Sequence, residues 1–309
     1  MPVLGLDTSN YTTSAAVFDG VSGSNVGRLL DVPEGTLGLR QSDALFQHVK
    51  RLPDQIAQLR EQGMLQNLAA VGASTRPREV EGSYMPCFLA GESLGKCLAD
   101  TLQVPFFPWS HQQGHLAAAA WSAGRLDLLE QPFLAWHLSG GTTELLIVHP
   151  EGKAVRAECI GGTEDISAGQ LIDRTGKLLQ LSFPAGKALD KLAQTSSSTE
   201  RFPVKLRGLR FSLSGMENKA KEMVQTGQTG EATAAFVLNT LADLLLRATK
   251  AALTSYPDLP VLCSGGVASN TRIRTALIEG CGAVFAEPQY STDNAMGIAI
   301  LTQRQIKEL

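Results

Sequence analysis

The stretch LAWHLSGGTTELLIV (residues 134–148) decides the fold. An apolar run enters the polar turn Ser139-Gly140-Gly141-Thr142, and a second apolar run leaves it at Leu145. This is strand, glycine turn, strand. The same unit stands at LGLDTSNYTTSAAVF (residues 4–18), where strands over 3–7 and 14–18 flank a polar turn over 8–13. The pairing is the mark of an internal duplication, although two unrelated strand pairs would look the same.

Working outward, 26–32 reads as a third strand. Leu45, Val49, Leu52, Ile56 and Leu59 recur at helical spacing behind Ser42 and Asp43, either of which would cap the helix. Residues 68–73 read as a strand and 87–102 as a helix. In the second half, helices are expected over 170–181, 185–193 and 232–256, the last stopping before Pro257. A short buried strand at 261–264 opens onto Gly265-Gly266 and a helix over 268–279, and a last helix starts at Thr292. Strands and helices mix throughout, so the class is α/β.

Composition excludes other classes. The chain has 309 residues, 43% apolar and 18% charged, with 30 Gly and 14 Pro, which is neither collagen-like, disordered nor coiled-coil. The length fits two domains or one large one. A net charge of −3 excludes nucleic-acid binding by bulk charge. It leaves a local basic stretch over 201–221 (Arg201, Lys205, Arg207, Arg210, Lys219 and Lys221) as a candidate nucleic-acid contact or a solvated face. The five cysteines are odd in number and hold no CxxC pair, so a disulfide framework is not expected and a reducing compartment is. The N-terminus has no basic region before its apolar residues, and no apolar run reaches the ~20 residues of a membrane span. A cytoplasmic protein is expected.

Five motifs carry chemistry. In HQQGH (111–115), His111 and His115 share a helix face and could grip one cation, or serve as ordinary helix histidines. No Glu follows His111, so this is not the HExxH of zinc peptidases. LSGGTTE (138–144) offers backbone amides and hydroxyls to a phosphate, or is a plain hairpin turn. CSGGVASN (263–270) puts Gly265 and Gly266 between a strand and a helix start, an anion or nucleotide site that is neither GxGxxG nor a P-loop. Asp7-Thr8-Ser9 suits a hydrated divalent cation, or a turn acid accepting amides. In STDNA (291–295), Asp293 is a metal carboxylate, or complements a helix dipole behind a Ser291 or Thr292 cap.

Taken in order, these segments resemble the tRNA threonylcarbamoyladenosine transferase family, long labelled glycoprotease or O-sialoglycoprotein endopeptidase. LGLDTS, SHQQGH, LSGGTTEL, LIDRTGKLLQLSFPAGKALDKLA, FSLSG, CSGGVASN and STDNAMGIA carry the resemblance over nearly the whole chain. It implies two duplicated α/β domains of the actin/Hsp70/sugar-kinase type with a nucleotide cleft between them: 1–128 with 293–309, and 129–292. It implies that His111, His115 and Asp293 ligate one divalent metal, iron or zinc, with magnesium the alternative. Leu138, Ser139, Gly140, Gly141, Thr142, Asp173, Gly186, Asp190, Gly265, Gly266 and Asn270 would hold an adenine nucleotide: ATP, AMP or threonylcarbamoyl-adenylate. Asp7 and Thr12 occupy the catalytic first loop. The implied reaction moves a threonylcarbamoyl group from its adenylate to adenosine of tRNA, in a complex with protein partners or as a dimer. The apolar helix over 116–121 is a candidate interface.

The chain departs from the family pattern in three places. The family's ETSCDET reads DTSNYTT, with Asn10, Tyr11 and Thr12 in place of its cysteine and acidic pair, and a phenol or hydroxyl is no base near neutral pH. Its Gly-Pro-Gly loop reads STRPREVEG (74–82), and Thr142 stands where its histidine does. A non-catalytic nucleotide-binding subunit is therefore the second reading, and a metallopeptidase the third.

Overall fold

β1 (Val3–Thr8) and β2 (Thr12–Phe18) are buried along their whole length, as strands covered on both faces should be. They form the hairpin expected, in antiparallel register from Val3↔Phe18 to Thr8↔Thr13. The computed structural model describes residues 1–9, 11–32 and 39–306. Asn10 lies outside them.

The chain divides into two compact units. The first comprises Met1–Glu130, Pro150–Ala157 and Gln289–Leu309. After the hairpin come β3 (Gly23–Leu29), α1 (Gln41–Glu61), β4 (Val71–Arg76), α2 (Leu89–Leu102), β5 (Phe106–Ser110) and α3 (His111–Ser122). The sheet order is β3-β2-β1-β4-β5, with β1, β4 and β5 parallel. Leu4, Leu6, Val17, Leu52, Leu59 and Val71 form its core. Two expectations need correction. α1 starts behind Arg40 without a side-chain cap, so Ser42 and Asp43 sit in its first turn, where Asp43 complements the dipole. Leu116 to Ala120 are buried, so the apolar stretch of α3 is core and not an open interface.

The second unit is Gln131–His149 with Glu158–Pro288. It holds β6 (Phe133–Leu138), most of β7 (Thr143–Glu151), the part of β8 (Ala154–Thr163) from Glu158 on, α4 (Ala168–Leu178), α5 (Gly186–Gln194), β9 (Arg210–Phe211), α6 (Ser214–Gln225), α7 (Gly230–Ser255), β10 (Val261–Ser264), α8 (Thr271–Cys281) and β11 (Val284–Phe285). The sheet order is β11-β10-β6-β7-β8-β9, with β6 antiparallel to β7 and parallel to β10. Trp136 is fully buried in its core, and its indole donates to Thr249 Oγ1 at 2.9 Å. The chain then returns to the first unit with α9 (Met296–Ile306).

The two sheets share one connectivity. In each, a central strand (β1, β6) has an antiparallel hairpin partner on one side, then a third strand beyond it. On its other side run two parallel strands, β4 and β5 or β10 and β11. No described helix is long and apolar enough to cross a membrane.

Candidate metal centre and nucleotide loops

In the first unit, three chain segments converge. β5 ends at Ser110, whose hydroxyl accepts from the Gln113 amide while Gln113 Oε1 accepts from the Ser110 amide. This capping box starts α3 at His111. His115 follows one turn later, and the two Nε2 atoms lie 2.9 Å apart. Asp293 Oδ1 lies 3.3 Å from His115 Nε2 and 3.5 Å from His111 Nε2. Asp293 is held by its neighbour: Asn294 Oδ1 accepts from the Met296 amide, and its Nδ2 donates to the Thr292 carbonyl at 2.7 Å. The amide of Met296, the first residue of α9, is thus bonded by Asn294, in place of the expected cap at Ser291 or Thr292. Gly114 and Gly297 let α3 and α9 touch backbone to backbone, since a Cβ on Gly297 would fall inside the Gly114 carbonyl. That crossing puts the histidines beside Asp293.

Asp7, at the end of β1, completes the cluster. It is fully buried, and its Oδ1 meets His111 Nδ1 at 2.9 Å. A carboxylate accepting from Nδ1–H fixes the tautomer that frees the Nε2 lone pair. The other Asp7 oxygen is buried and has no hydrogen-bond partner. His111, His115 and Asp293 each offer one ligand atom within 4.8 Å of the others. Ligands of a tetrahedral ion at about 2.0–2.1 Å stand ~3.4 Å apart, so this donor set fits a divalent cation. Burial alone would push His111 down, but Asp7 and Asp293 outweigh it and raise it to about 10. Burial would raise Asp293, yet the hydrogen bonds of His111 and His115 hold it well below the usual carboxylate range.

The loop after β1 has a buttress the sequence reading missed. His48, fully buried on α1, reaches Thr13 Oγ1 at 2.8 Å and the Ser9 carbonyl at 2.7 Å, and burial pushes its pKa down. A neutral ring that donates from Nε2 to Ser9 and accepts at Nδ1 from Thr13 satisfies both contacts. Thr12 opens β2 and is mostly buried, while Tyr11 is exposed. Neither is hydrogen-bonded through its side chain to the cluster. In the changed loop, Arg76 is opposite Ser110 in register and makes two 2.6 Å contacts with Glu79. The Pro77 carbonyl accepts from the Gln112 amide at 3.0 Å.

In the second unit, the glycine loops gather at the ends of β6 and β10. Ser139 and Thr142 close the β6–β7 turn, the Ser139 amide donating to the Thr142 carbonyl at 2.9 Å. Ser167 Oγ donates to the Gly140 carbonyl at 2.6 Å, which docks α4 against the turn. Gly265, at φ 97°, abuts the Leu138 carbonyl. Gly140, Gly141, Gly186 and Gly266 face open space. Two of the residues expected to hold the nucleotide are already engaged. Asp173 accepts from the Ala185 amide, and Asp190 accepts from Asn270 Nδ2 and from the amide and hydroxyl of Thr271. Asn270 Oδ1 in turn caps α8.

The basic stretch splits in two. Lys219 pairs with Glu222, Lys221 with Glu217, and Arg201 lies 3.6 Å from Asp243. Lys205, Arg207 and Arg210 are exposed and have no ion pair among the described residues.

Comparison with known proteins adds the following. A family model described as tRNA N6-adenosine threonylcarbamoyltransferase matches residues 38–300. A protein of that name from Thermus thermophilus is 34% identical over 316 residues, covering 99% of this chain and 93% of its own. Another, from Granulibacter bethesdensis, is 32% identical over 329 residues, covering 96% and 86%. Among solved structures, component A of (R)-2-hydroxyglutaryl-CoA dehydratase from Acidaminococcus fermentans matches with TM-score 0.56 at 17% identity over 99% of both chains. Full-length HypF matches with TM-score 0.63 at 14% identity, over 99% of this chain and 47% of that one. A hexokinase from Thermus thermophilus matches at TM-score 0.50 and 17% identity over both full chains. These likenesses give the fold as the actin/Hsp70/sugar-kinase type.

Proposed function

The chain belongs to the tRNA N6-adenosine threonylcarbamoyltransferase family, and on that premise we propose that it transfers a threonylcarbamoyl group from an adenylate to adenosine N6 in tRNA at the His111–His115–Asp293 centre. In that reaction, N6 bonds to the carbamoyl carbon and loses one proton to solvent, the bond from that carbon to the phosphate oxygen breaks, and AMP leaves with its electron pair. The observation that carries the reading is the convergence of two imidazole Nε2 atoms and one carboxylate, backed by the buried Asp7. A divalent ion bound there would polarise the carbonyl oxygen of the mixed anhydride. His111, His115 and Asp293 hold it, and Asp7 keeps the proton of His111 on Nδ1. Asp7 is a positioning residue in this reading, because it is fully buried behind His111. His48 fixes the path of the first loop. The open glycines of the second unit receive the AMP moiety, their bare backbone allowing phosphate oxygens to approach the amides.

The test is single-turnover transfer from threonylcarbamoyl-adenylate to a tRNA transcript, by metal-loaded protein together with any proteins that co-purify with it. Formation of modified adenosine with equimolar AMP, lost in His115→Ala, is expected. AMP release with no modified tRNA would instead sink the acceptor assignment.

A further inference from the structure

The hairpin that carries the unpaired cations adjoins a cavity. Arg201, Phe202, Pro203, Val204, Asp243 and Arg247 line a space of about 450 Å³ in the second unit. That lies within the range of about 300–1,000 Å³ typical of ligand pockets. Its two guanidiniums share one carboxylate: Arg247 Nε lies 2.7 Å from Asp243 Oδ2, and Arg201 Nε lies 3.6 Å from Oδ1. The pocket thus carries surplus positive charge beside the ring of Phe202. The Phe202 amide is tied to Thr240 Oγ1 at 2.8 Å, and Arg247 donates to the Val204 carbonyl at 2.9 Å, so the lining is fixed to α7.

Lys205 follows directly. The chain then turns at Gly208, φ 62°, and the Arg207 amide donates to the Arg210 carbonyl at 2.9 Å. Arg207 is three residues beyond Val204, so its Cα is at most ~11 Å away. Arg210 opens β9, the outermost strand of its sheet. Three exposed cations without acidic partners among the described residues therefore follow directly in the chain on a cavity lined by Phe202, with Arg210 bridged through its backbone to Arg207.

We propose that this surface is a single-stranded RNA subsite, in which Lys205, Arg207 and Arg210 neutralise successive phosphates and an unstacked base enters the cavity against Phe202. Sequence-specific RNA recognition depends on bases splayed from single-stranded loops onto aromatic and guanidinium planes. Asp243 and the guanidiniums supply an acceptor and donors to a base edge. The proposal rests on the tRNA-acceptor reading above and locates where the acceptor's loop is gripped. It also reconciles a chain of net charge −3 with an RNA substrate, since the favourable charge is local.

The experiment is filter binding of an unmodified tRNA transcript to the full chain over 50–300 mM salt, with four proteins compared. Arg207→Glu with Arg210→Glu is expected to lower affinity at least tenfold at about 100 mM salt. It should also flatten the log–log salt slope by about 1.4, at ~0.7 per lost single-strand phosphate contact. Phe202→Leu, which keeps an apolar side chain, is expected to lose about 5- to 150-fold with the slope unchanged, the effect of removing one stacked base. Lys50→Glu with Arg60→Glu, an equal charge change on α1, is expected to bind like the parent. Threonylcarbamoyl-adenylate affinity should be common to all four, and melting temperature to the parent and the two charge variants, since Phe202 also packs on the core of its unit. If the Arg207/Arg210 variant binds tRNA like the parent, or the α1 variant loses as much, the subsite is wrong and the transferase reading stands. If Phe202→Leu alone binds normally, the base pocket is wrong. If the parent binds no tRNA even at 50 mM salt, the RNA acceptor and the subsite fall together.

Discussion

At the scale of single residues, two buried or anchored carboxylates set most of the local chemistry. Asp7 is fully buried, yet its Oδ1 meets His111 Nδ1, the contact that keeps the proton there when Nε2 gives up its own to a metal ion. Removing such a partner typically costs 10–100-fold in metal affinity. Asp7→Ala is therefore expected to weaken zinc binding by about that factor while leaving one site per chain, whereas His115→Ala abolishes the site. Zinc titration against a chromophoric chelator distinguishes the two, and equal loss in both would make Asp7 a ligand. Asp165 plays a different part. Burial pushes its carboxyl up, but the hydroxyls of Ser212 and Ser214 and the amides of Leu213 and Ser214 outweigh that and hold it far below the usual range. It thereby pins the FSLSG turn that starts α6. A carboxyl depressed in the folded state stabilises it above the unfolded value of ~3.9 and loses that contribution as pH falls below it. Asp165→Asn should lower the urea midpoint at pH 7, and the gap from the parent should narrow between about pH 4 and pH 2. A gap independent of pH would mean the carboxylate charge is irrelevant. Neither link is legible from sequence, because each joins residues tens of positions apart through a fold-dependent contact.

At the scale of elements, the candidate metal centre depends on how α3 crosses α9. Both helices present glycine at the contact, and Gly114 sits within the HQQGH motif itself. A methyl at Gly297 meets backbone rather than a movable side chain, so the helices must separate. Gly297→Ala is expected to cost about 1–3 kcal/mol, as overpacking does, and to lower metal affinity in the same variant. Thermal melts and the zinc titration read both effects, and a loss of stability with metal binding intact would show that the crossing does not set the ligand geometry. The sequence displays the two glycines but not their meeting. It also conceals whole elements. β5 contains Pro108, which breaks a strand pattern and is tolerated here because β5 lies at the sheet edge. β8 carries Arg156, Glu158 and two glycines, so its apolar alternation is weak. α6 buries Met216, Ala220 and Met223, yet its lysines and acids read as part of a basic stretch. By contrast β6 and β10, short apolar runs leading into serine and a pair of glycines, stand where the sequence places them, before the turn at Ser139 and at 261–264.

At the scale of the molecule, the duplication seen in two 15-residue stretches extends to five strands in each sheet, in matching order, with the central strand antiparallel to its hairpin partner and parallel to the next two in both. That much was legible because hairpins and glycine turns are local. The unit boundary was not: residues 150–157, expected in the second domain, pack with the first, where Gln113 Nε2 donates to the Val155 carbonyl at 2.9 Å. Such a contact between residues 42 apart leaves no local sequence pattern. The duplication has been put to two uses. One copy gathers acid and imidazole around the end of β1, and the other gathers bare glycines around the ends of β6 and β10. Division of labour of this kind predicts separable losses. Gly266 has open space where a Cβ would stand and no positive φ, so valine there should change stability by no more than about 0.5 kcal/mol. The same valine would block close approach of a phosphate to the backbone. Gly266→Val is therefore expected to bind AMP at least tenfold more weakly by calorimetry, while still taking up one zinc per chain with parental affinity. Unchanged AMP binding would show that this loop is structural and that the nucleotide is held elsewhere. A joint loss of zinc and AMP would show that the valine disturbs the fold and not the loop alone.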